Sequence, residues 1–332
     1  MYKMKDFLSC DWGTSTLRIS LVNGSNGEII CTESSDKGMA GTFNLWQLTG
    51  SAGENERMHF YLDVLLQHIK TIELKIKRPI EKCRVIISGM ASSSLGFVEL
   101  PYSGLPFSLS AESLQMKHIP EHEGFGYDIT VISGVKSSDD VMRGEETQLI
   151  GCVNTGQGNI NNQVFILPGT HSKHIYINNN KMTGFKTYMT GDFFEMLSQK
   201  SILSNSVEKE DGIENPEYLK AFLKGVVDSA NLNLLNAAFK VRTNSLFEVY
   251  TKKQNFNYLS GLLIGIELQS LNNLRAEKIH LLCGGRLQHY YKLALKELGF
   301  SDKLQTYPSL WVDEAVIRAH YNINQQLKIS HG

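Results

Sequence analysis

The sequence lacks the features that mark several common protein classes. Its five cysteines are odd in number, widely spaced and without a CxxC pair, so they are predicted to be reduced residues of the core. Net charge is −1 and no dense Lys/Arg cluster occurs, which argues against nucleic acid and membrane as partners. The N-terminus has only a short apolar run before Asp11, unlike a secretory signal, and the apolar pattern at 258–271 contains Glu267 and is too short to span a membrane. A cytoplasmic protein with a small-molecule ligand is therefore expected.

The usual nucleotide-binding signatures are also missing. No Gly-Lys dipeptide occurs, which excludes a Walker A loop, and GFGYDI and GQGNIN lack the third Gly of a dinucleotide fingerprint. A nucleotide would have to be held in another way. LLCGGR at 281–286 offers one, because Gly284 and Gly285 between a strand and a helix let an adenine or ribose lie against bare backbone. A tight strand-to-helix connection is the alternative.

Two segments share the pattern of a β-hairpin with a Gly-Thr turn. DWGTSTLRISL at 11–21 and LPGTHSKHIYI at 167–177 both place small hydroxyl residues between an entry strand and an alternating exit strand. Backbone N–H groups and hydroxyls in such a turn can hold phosphate, and a basic residue nearby can neutralise its charge. The predicted phosphate-binding residues are Gly13, Thr14, Ser15, Thr16 and Arg18 in the first turn and Gly169, Thr170, Ser172 and Lys173 in the second.

Each of these turns taken alone has a plain hairpin turn as its alternative. Their common pattern indicates that the chain consists of two related halves. Asp11, just before the first turn, is predicted to hold Mg²⁺ through water. HSKH at 171–174 spaces two histidines by three residues but is expected in a turn, so an ordinary polar loop is favoured over a metal site.

Two adjacent glutamates, Glu145 and Glu146, interrupt an apolar helical pattern. In VMRGEETQLIGCV at 141–153 a helical wheel places Glu146 inside the apolar stripe. Burial raises the pKa of a carboxyl group toward the range that a general base needs, so Glu146 is a candidate catalytic residue. The alternatives are a partly exposed helix end, or an ion pair with Arg143.

The length of 332 residues suits about two domains, in which strands and helices intermix. Strands are predicted at 6–22 as a hairpin, from 28 onward, at 84–90, 128–134, 163–179 as a second hairpin, and 278–285. Helices are predicted at 59–74, 141–153, 191–203, 217–239, 256–271, 289–300 and 311–327. Residues 92–110 are rich in Ser, Gly and Pro and are predicted to form loops over a pocket. The fold class is therefore α/β.

Seven blocks of sequence, in this order, resemble the 2-dehydro-3-deoxygalactonokinase family of the acetate kinase, sugar kinase, Hsp70 and actin superfamily. They are DWGTSTLR (11–18), GMASSSLG (89–96), PY (101–102), VMRGEETQLIG (141–151), PGTHSK (168–173), MTGD (189–192) and SGLLIGIE (260–267). The resemblance implies a two-lobed actin-like ATPase fold of the ribonuclease H-like type with ATP in the cleft. It implies an N-terminal lobe of 1–140 and 312–332, which carries the sugar site, and a C-terminal lobe of 141–311, which carries the adenosine site.

The resemblance also implies a reaction. A magnesium-dependent transferase would move the γ-phosphate of ATP to the primary hydroxyl of 2-dehydro-3-deoxy-D-galactonate, giving the 6-phosphate and ADP in galactonate catabolism. Glu146 would accept the hydroxyl proton, since EETQLI is similar to EEARLI of the exopolyphosphatases, in which the second Glu positions the attacking group. Glu145 and Asp140 remain open as the base, and either a monomer or a homodimer is expected.

The sugar acid is expected to meet residues of the 92–110 loop and of its borders. The substrate-binding candidates are Met90, Ser93, Tyr102 and Arg143. A guanidinium can clasp a carboxylate with two parallel hydrogen bonds, although a salt bridge from Arg143 to Glu145 or Glu146 is the alternative.

The sequence departs from the family pattern at four positions. Ser92, Phe97, His174 and Asp192 stand where that pattern has Gly, Trp, Trp and Glu. The first two bear on substrate preference more than on the type of reaction. A kinase for a related 2-keto-3-deoxy sugar acid, a phosphohydrolase and a non-enzymatic ATP-gated binding module are the rival functions.

Overall fold

The structure, a computed structural model, describes residues 5–50, 53–80, 82–110, 113–121, 124–153, 160–210 and 212–329. The chain divides into two compact units. Unit 1 comprises Met1–Gly158 and Asp313–Gly332, and unit 2 comprises Asn159–Val312. The lobes expected from the sequence differ from these units mainly in residues 141–158, which contain the glutamate helix and belong to unit 1.

Unit 1 is built around a sheet of six strands. Its elements up to residue 158 are β1 Phe7–Trp12, β2 Leu17–Val22, β3 Ile29–Ser35, α1 Met39–Gln47, α2 Glu54–Ile76, β4 Arg84–Gly89, β5 Ser103–Gly104, β6 Phe107–Ser108, β7 Met116–Ile119, β8 Asp128–Ile132, β9 Val135–Lys136, β10 Val141–Met142 and α3 Glu145–Cys152. The strand order is β3-β2-β1-β4-β8-β7. Strands β1, β2 and β3 are antiparallel, whereas β4 and β8 run parallel to β1.

Unit 2 repeats most of this arrangement. Its elements are β11 Gln163–Leu167, β12 Ser172–Asn178, β13 Lys181–Tyr188, α4 Thr190–Glu195, α5 Pro216–Asn231, α6 Leu234–Leu246, α7 Lys252–Leu268, β14 Lys278–Leu281, α8 Gly285–Glu297, β15 Leu304–Thr306 and α9 Ser309–Asp313, the last residue of which lies in unit 1. The final helix, α10 Ala315–Ile329, belongs to unit 1. Within unit 2 the order β13-β12-β11-β14-β15 matches β3-β2-β1-β4-β8, with the same antiparallel and parallel pairings.

Alternation along β1 decides how unit 1 packs. Leu8, Cys10 and Trp12 are fully buried in the cluster that includes the inner face of α2. The buried residues of that face, spaced by three and four, are Tyr61, Leu65, Ile69 and Ile72. Burial of an aliphatic or aromatic side chain of this size stabilises by roughly 1.5–3 kcal/mol. Ser9, which lies between Leu8 and Cys10 in β1, points to the opposite face of the sheet, where its hydroxyl lies 2.8 Å from Nδ1 of His320 in α10.

In unit 2 two helices approach closely because glycines line their contact. A Cβ added to Gly261 of α7 would lie 2.0 Å from the carbonyl oxygen of Phe222 in α5, and one added to Gly225 of α5 would lie 2.2 Å from that of Tyr258. No side chain fits in this space, so the backbones of the two helices are in direct contact. This places α7 where its far end reaches β12 and α8.

The two predicted hairpins and the strands at 84–90, 128–134 and 278–285 are confirmed. Four predicted helices differ. The pattern at 191–203 is α-helical only in Thr190–Glu195, after which Met196–Lys200 forms a π-helix and Ile202–Ser206 a 3₁₀ helix. The helix expected at 141–153 begins only at Glu145, because Val141 and Met142 pair with β9. The pattern at 217–239 is broken where Asn233 caps α6 by accepting a hydrogen bond from the N–H of Leu235. The pattern at 311–327 is broken between α9 and α10.

Several elements had not been predicted. They are α1, β7, β13 and β15, together with the two-residue strands β5 and β6, which lie in the predicted loop stretch 92–110, and β9. All five cysteines are unpaired, and Cys10, Cys152 and Cys283 are buried as expected. None of the helices in the described part of the chain has the length and apolar character needed to cross a membrane.

Candidate active site

The first Gly-Thr turn connects β1 and β2. The N–H of Gly13 donates to the carbonyl oxygen of Thr16 at 2.9 Å, which closes the turn. The side chains of Thr14, Ser15 and Thr16 are exposed, so their hydroxyls face solvent. The turn therefore presents to solvent the small hydroxyl residues that are predicted to bind phosphate.

A glycine that had not been predicted supports this turn from behind. Gly38 precedes α1, and a Cβ at this position would lie 2.2 Å from the carbonyl carbon of Ser15 and 2.4 Å from the carbonyl oxygen of Thr14. The first N–H groups of the helix complete the contact, from Met39 to Gly13 at 2.9 Å and from Ala40 to Thr14 at 3.1 Å. Glycine is needed here because only its bare backbone allows this approach. In the sequence it is one glycine among 28, without a motif around it.

A second pair of glycines brings the glutamate helix next to Asp11. Gly89 ends β4 with φ of 86°, and a Cβ there would lie 2.7 Å from the carbonyl oxygen of Trp12 and 3.4 Å from Oδ1 of Asp11. Gly144 precedes α3 with φ of 110°, and its own Cβ would lie 3.4 Å from Cα of Gly89. The end of β1, the end of β4 and the start of α3 therefore meet at one point.

The electrostatics at this point follow from the closeness of the carboxyl groups. Burial raises the pKa of Asp11, the positive charge of Arg18 opposes that rise, and the negative charge of Glu145 adds to it. Arg18 is paired with Asp11 across the β1–β2 register, and its Nη1 lies 3.4 Å from the carbonyl oxygen of Asp313. Two carboxyl groups in such proximity favour a bound cation between them.

Glu146 lies on the buried face of α3, as the helical wheel predicted. It is 1% exposed, and its Oε1 and Oε2 accept hydrogen bonds from the N–H of Gly144 at 2.9 and 2.8 Å. The hydroxyl of Thr147 donates to Oε1 at 3.0 Å. Burial, followed by the charge of Glu145, raises the pKa of Glu146 to about 8, although these hydrogen bonds act in the opposite direction. This is the range of a general base at neutral pH.

The two other candidate bases have different surroundings. Glu145 is half-buried, and its Oε2 accepts from the N–H of Arg143 at 3.0 Å. Asp140 precedes β10, and its Oδ1 accepts from the N–H of Val141 at 2.7 Å. Of these three candidates, Glu146 is the one that is completely buried.

The predicted sugar-acid residues lie around the single 3₁₀ turn at 90–92 that follows β4. The guanidinium of Arg143 stacks over the ring of Tyr102 at 4.2 Å from its centroid. Its Nη1 donates to the carbonyl oxygen of Ser92 and, at 2.5 Å, to the hydroxyl of the same residue. Ser93 donates from its hydroxyl to the carbonyl oxygen of Met90 at 2.7 Å. Ser92, which had been noted only as a departure from the family pattern, therefore links Arg143 to the turn that carries Met90 and Ser93.

The second Gly-Thr turn, between β11 and β12, is supported in the same way as the first. Gly169 and Thr170 are exposed. The N–H groups of Gly191 and Asp192, at the start of α4, donate to the carbonyl oxygen of Thr170 at 3.1 and 3.2 Å. A Cβ on Gly191 would lie 2.7 Å from Cα of Thr170, so this position also requires glycine.

The residues after this turn are more deeply buried than expected. Strand β12 already begins at Ser172, so His174 lies inside a strand and the expected turn at 171–174 is wrong. The hydroxyl of Ser172 is fully buried and donates to Glu267 at 2.7 Å. Lys173 is 4% exposed, and its ammonium group donates to the carbonyl oxygen of His171 at 3.3 Å.

A cavity of about 460 Å³ adjoins the second turn and lies entirely in unit 2. Its volume falls in the range of small-molecule sites. The lining residues are Gly169, Thr190, Gly191, Phe194, Glu210, Phe256, Ser260, Leu263, Ile264, Gly284, Arg286, Leu287, Tyr290 and Tyr291. Two predicted nucleotide residues, Gly169 and Gly284, thus line one cavity, whereas Gly285 begins α8 and donates its N–H to the hydroxyl of Ser309 at 2.9 Å. The apolar lining from α7 and α8 had not been predicted, although both MTGD and SGLLIGIE contribute to it.

Comparison with known proteins gives the family. A family model described as 2-keto-3-deoxy-galactonokinase matches residues 11–316. The chain belongs to this family. It is 27% identical over 300 residues to the 2-dehydro-3-deoxygalactonokinase of Escherichia coli strain K12, covering 88% of this chain and 90% of that protein. It is 29% identical over 304 residues to a Rhizobium meliloti strain 1021 protein that bears this name provisionally, covering 89% and 90%.

The fold of this galactonokinase family member is also similar to that of a solved structure. The crystal structure of a Sinorhizobium meliloti protein, provisionally assigned as a 2-dehydro-3-deoxygalactonokinase, matches with a TM-score of 0.76 and 25% identity. The match covers 97% of this chain and 96% of that one. The predicted α/β class with the actin-like ATPase fold is confirmed, and the two units share one strand order.

Proposed function

We propose that this protein is an ATP-dependent carbohydrate kinase that phosphorylates the primary hydroxyl of 2-dehydro-3-deoxy-galactonate. The observation that carries the proposal is the repeated Gly-Thr turn, each copy exposed and each supported by a glycine at the start of a following helix. A triphosphate needs several fixed N–H and hydroxyl donors, because phosphoryl transfer depends mostly on positioning and charge neutralisation. The names of the relatives supply the acceptor.

The cavity of unit 2 fits the nucleoside of ATP. Phe194, Phe256 and Leu287 provide apolar surface for a base, and Thr190, Ser260 and Arg286 provide polar groups at the same cavity. The cavity begins at Gly169 in the second turn, so a nucleoside bound there would direct its phosphates toward that turn. Gly169 and Thr170 would then bind phosphate oxygens. Ser172 and Lys173 would act from beneath the turn, Lys173 through its charge.

Magnesium fits the carboxyl groups beside the first turn. Within the described residues no cluster of three or more His, Cys, Asp or Glu side chains could hold a metal. Mg²⁺ is nevertheless commonly held by only one or two carboxylates together with substrate phosphates. Asp11 and Glu145, whose charges interact, would hold the ion, directly or through water. When bound, the ion would neutralise charge on the phosphates.

Glu146 is the residue that we assign to proton acceptance from the sugar hydroxyl. Its pKa of about 8 keeps it poised near neutrality, and Glu145 is better suited to the ion because it interacts with Asp11. Because Glu146 is 1% exposed, it would meet the hydroxyl only when the substrate is enclosed. Arg143, oriented by Ser92 and Tyr102, would bind the carboxylate of the sugar acid.

The cytoplasm, where ATP is available, is the proposed compartment.

The test is a phosphorylation screen with ATP and Mg²⁺. The acceptors are 2-dehydro-3-deoxy-galactonate, its gluconate epimer, simple hexoses and water alone. We expect ADP formation to depend on the galactonate derivative and to be much slower with the hexoses, which lack a carboxylate. Equal rates with the gluconate epimer would indicate the broader sugar-acid kinase. Phosphate release without acceptor would indicate a phosphohydrolase, and ATP binding without turnover would indicate a binding module.

A further inference from the structure

Glu267, near the end of α7, is a buried carboxylate that accepts hydrogen bonds from four side chains. It is 2% exposed. Its Oε1 accepts from the hydroxyl of Ser172 at 2.7 Å and lies 2.9 Å from Nε2 of His174. Its Oε2 accepts from the hydroxyls of Thr190 and, at 2.6 Å, Tyr291. A buried carboxylate is stable only when its oxygens are satisfied in this way.

The four donors come from three elements around the nucleotide cavity. Ser172 and His174 open β12 directly after the second Gly-Thr turn. Thr190 begins α4, where the next residue, Gly191, supports that turn and lines the cavity. Tyr291 lies on α8 and also lines the cavity. One side chain therefore ties the turn, its supporting helix start and a cavity wall together.

The carboxylate is charged in this position. Burial alone would raise the pKa of Glu267, but the hydrogen bond and charge of His174, followed by the hydroxyls of Ser172 and Thr190, hold it below its usual value. An ionised carboxylate only accepts hydrogen bonds, so it orients the hydroxyl protons of Ser172, Thr190 and Tyr291 toward itself. Charge-assisted hydrogen bonds are about twice as strong as neutral ones, which fixes these side chains firmly.

We infer that Glu267 is a positioning residue for the phosphoryl donor, which holds the second Gly-Thr turn and the cavity wall in the arrangement that binds a nucleoside triphosphate. The inference rests on the proposed function to the extent that it takes this turn and cavity as the ATP site. Glu267 does not line the cavity itself, so it acts through Ser172, Thr190 and Tyr291. Sites of this kind lose function when supporting hydrogen bonds are removed, because a displacement of about 1 Å is enough to cost roughly 100-fold.

The central variant is Glu267→Gln, which keeps the size of the side chain but replaces one accepting oxygen with a donating amide. The amide NH₂ group of the glutamine would point at hydroxyl groups that themselves donate to Glu267 in the wild-type protein. At least one of the four hydrogen bonds would therefore be lost. We expect the dissociation constant for ATP-Mg²⁺, measured by titration calorimetry, to rise by about tenfold or more. The KM for the sugar acid should change by less than about twofold, because the predicted sugar site lies in unit 1.

Ser172→Ala is the second variant. Ser172 is fully buried, and its hydroxyl donates to Glu267 rather than facing the turn. Loss of this single hydrogen bond should weaken ATP binding by about threefold to tenfold while the fold is retained. This variant keeps the inference testable if Glu267→Gln does not fold.

Asp228→Asn provides the matched control. Asp228 is another buried carboxylate of unit 2, is 7% exposed, and accepts from the hydroxyl of Tyr258 at 2.9 Å, but it does not line the cavity. We expect this variant to lower the melting temperature and to leave the dissociation constant for ATP unchanged. If Glu267 had only a structural role, Glu267→Gln would likewise lower the melting temperature without changing the dissociation constant for ATP.

The outcomes separate the inference from the function on which it rests. An unchanged dissociation constant for ATP in both Glu267→Gln and Ser172→Ala, with wild-type phosphotransfer intact, would overturn the inference alone. An equal loss of affinity for ATP and sugar acid would also overturn it, since general loosening would then be the cause. If the wild-type protein bound no ATP, the proposed function would fail first.

Discussion

Gly38→Ala should impair phosphotransfer although the residue is neither charged nor placed to touch a substrate. The added methyl group would lie 2.2 Å from the carbonyl carbon of Ser15 and 2.4 Å from both the carbonyl oxygen of Thr14 and the backbone nitrogen of Thr16. All three atoms belong to the backbone of the first Gly-Thr turn. The clash therefore cannot be relieved by rotation of a side chain.

The size of the effect follows from the distances. Carbon atoms in contact prefer a separation of about 3.5–4.0 Å, so the turn and the start of α1 must separate by more than about 1 Å. Such overpacking typically costs about 1–3 kcal/mol of stability. The hydrogen bonds from Met39 and Ala40 to the turn would be stretched at the same time. A shift of about 1 Å at a group that positions the transferred phosphate costs roughly 100-fold in rate.

The assay compares Gly38→Ala with Gly41→Ala. Gly41 lies in α1, three residues after Gly38, is exposed, and has no atom within 4 Å of an added Cβ. Alanine there should stabilise the helix by up to about 1 kcal/mol and leave kcat/KM unchanged. For Gly38→Ala we expect kcat/KM for ATP to fall by about 10- to 100-fold, measured by coupled detection of ADP. Wild-type kcat/KM in a folded Gly38→Ala protein would refute the assignment of this turn to phosphate.

Further predictions concern the base, the sugar site and the helix packing. Glu146→Gln should lower kcat by about 10²–10⁴-fold with little change in KM for ATP, and equal turnover in the variant would exclude Glu146 as the base. The kcat of the wild-type protein should rise with pH up to about pH 8, because the carboxyl group of Glu146 loses its proton over this range. The pKa of Glu146 is raised in the folded state, so its contribution to the free energy of unfolding should decline as pH rises from about 4.5 to 8. Chemical denaturation of the wild-type protein and of Glu146→Gln across this pH range measures the decline. Arg143→Lys should raise KM for the sugar acid about tenfold or more and leave KM for ATP near normal, because an ammonium group cannot match the guanidinium contacts with Ser92; an unchanged KM would remove Arg143 from the substrate site. Gly261→Ala should lower the free energy of unfolding by about 2 kcal/mol or more, since its Cβ would lie 2.0 Å from the carbonyl oxygen of Phe222, and a wild-type melting temperature would contradict the close packing of α5 and α7.

The parts of the fold that local patterns determine could be predicted from the sequence. Both hairpins carry alternating apolar residues around a Gly-Thr turn, and the burial of Glu146 follows from the angular position of its side chain on a helix. The start of α3 could not be located in this way. Met142 fits the helical stripe, but Val141 and Met142 pair with Lys136 and Val135 of β9 and so form a strand. A helical pattern does not reveal this pairing.

The supporting residues of the site were largely missed for the same reason. Gly38 and Gly191 are needed because another segment lies against them, and a glycine in a sequence does not show what it will contact. Glu267 was seen only as a polar residue in an apolar helix, whereas its partners lie 24 to 95 residues away in the chain. Ser92 stood out as a departure from a family pattern, yet its link to Arg143 depends on the meeting of β4 with the segment before α3.

The repeated halves show that the duplication extends beyond the two hairpin sequences. In each unit the third strand of the antiparallel group leads into a helix, and the first N–H groups of that helix donate to carbonyl oxygens of the hairpin turn. In each unit a glycine at the helix start is the point of closest approach, Gly38 in one and Gly191 in the other. Because these glycines follow their turns by about 20 residues, a comparison of the turns alone cannot reveal them.

Around this shared frame the two units differ. The first turn adjoins the carboxyl groups of Asp11 and Glu145, and the second adjoins a cavity with a wall residue, Tyr291, that is hydrogen-bonded to Glu267. The same backbone device thus supports the proposed metal site and base in one unit and the proposed nucleotide site in the other, so we expect Gly38→Ala to alter catalysis and Gly191→Ala to alter nucleotide affinity.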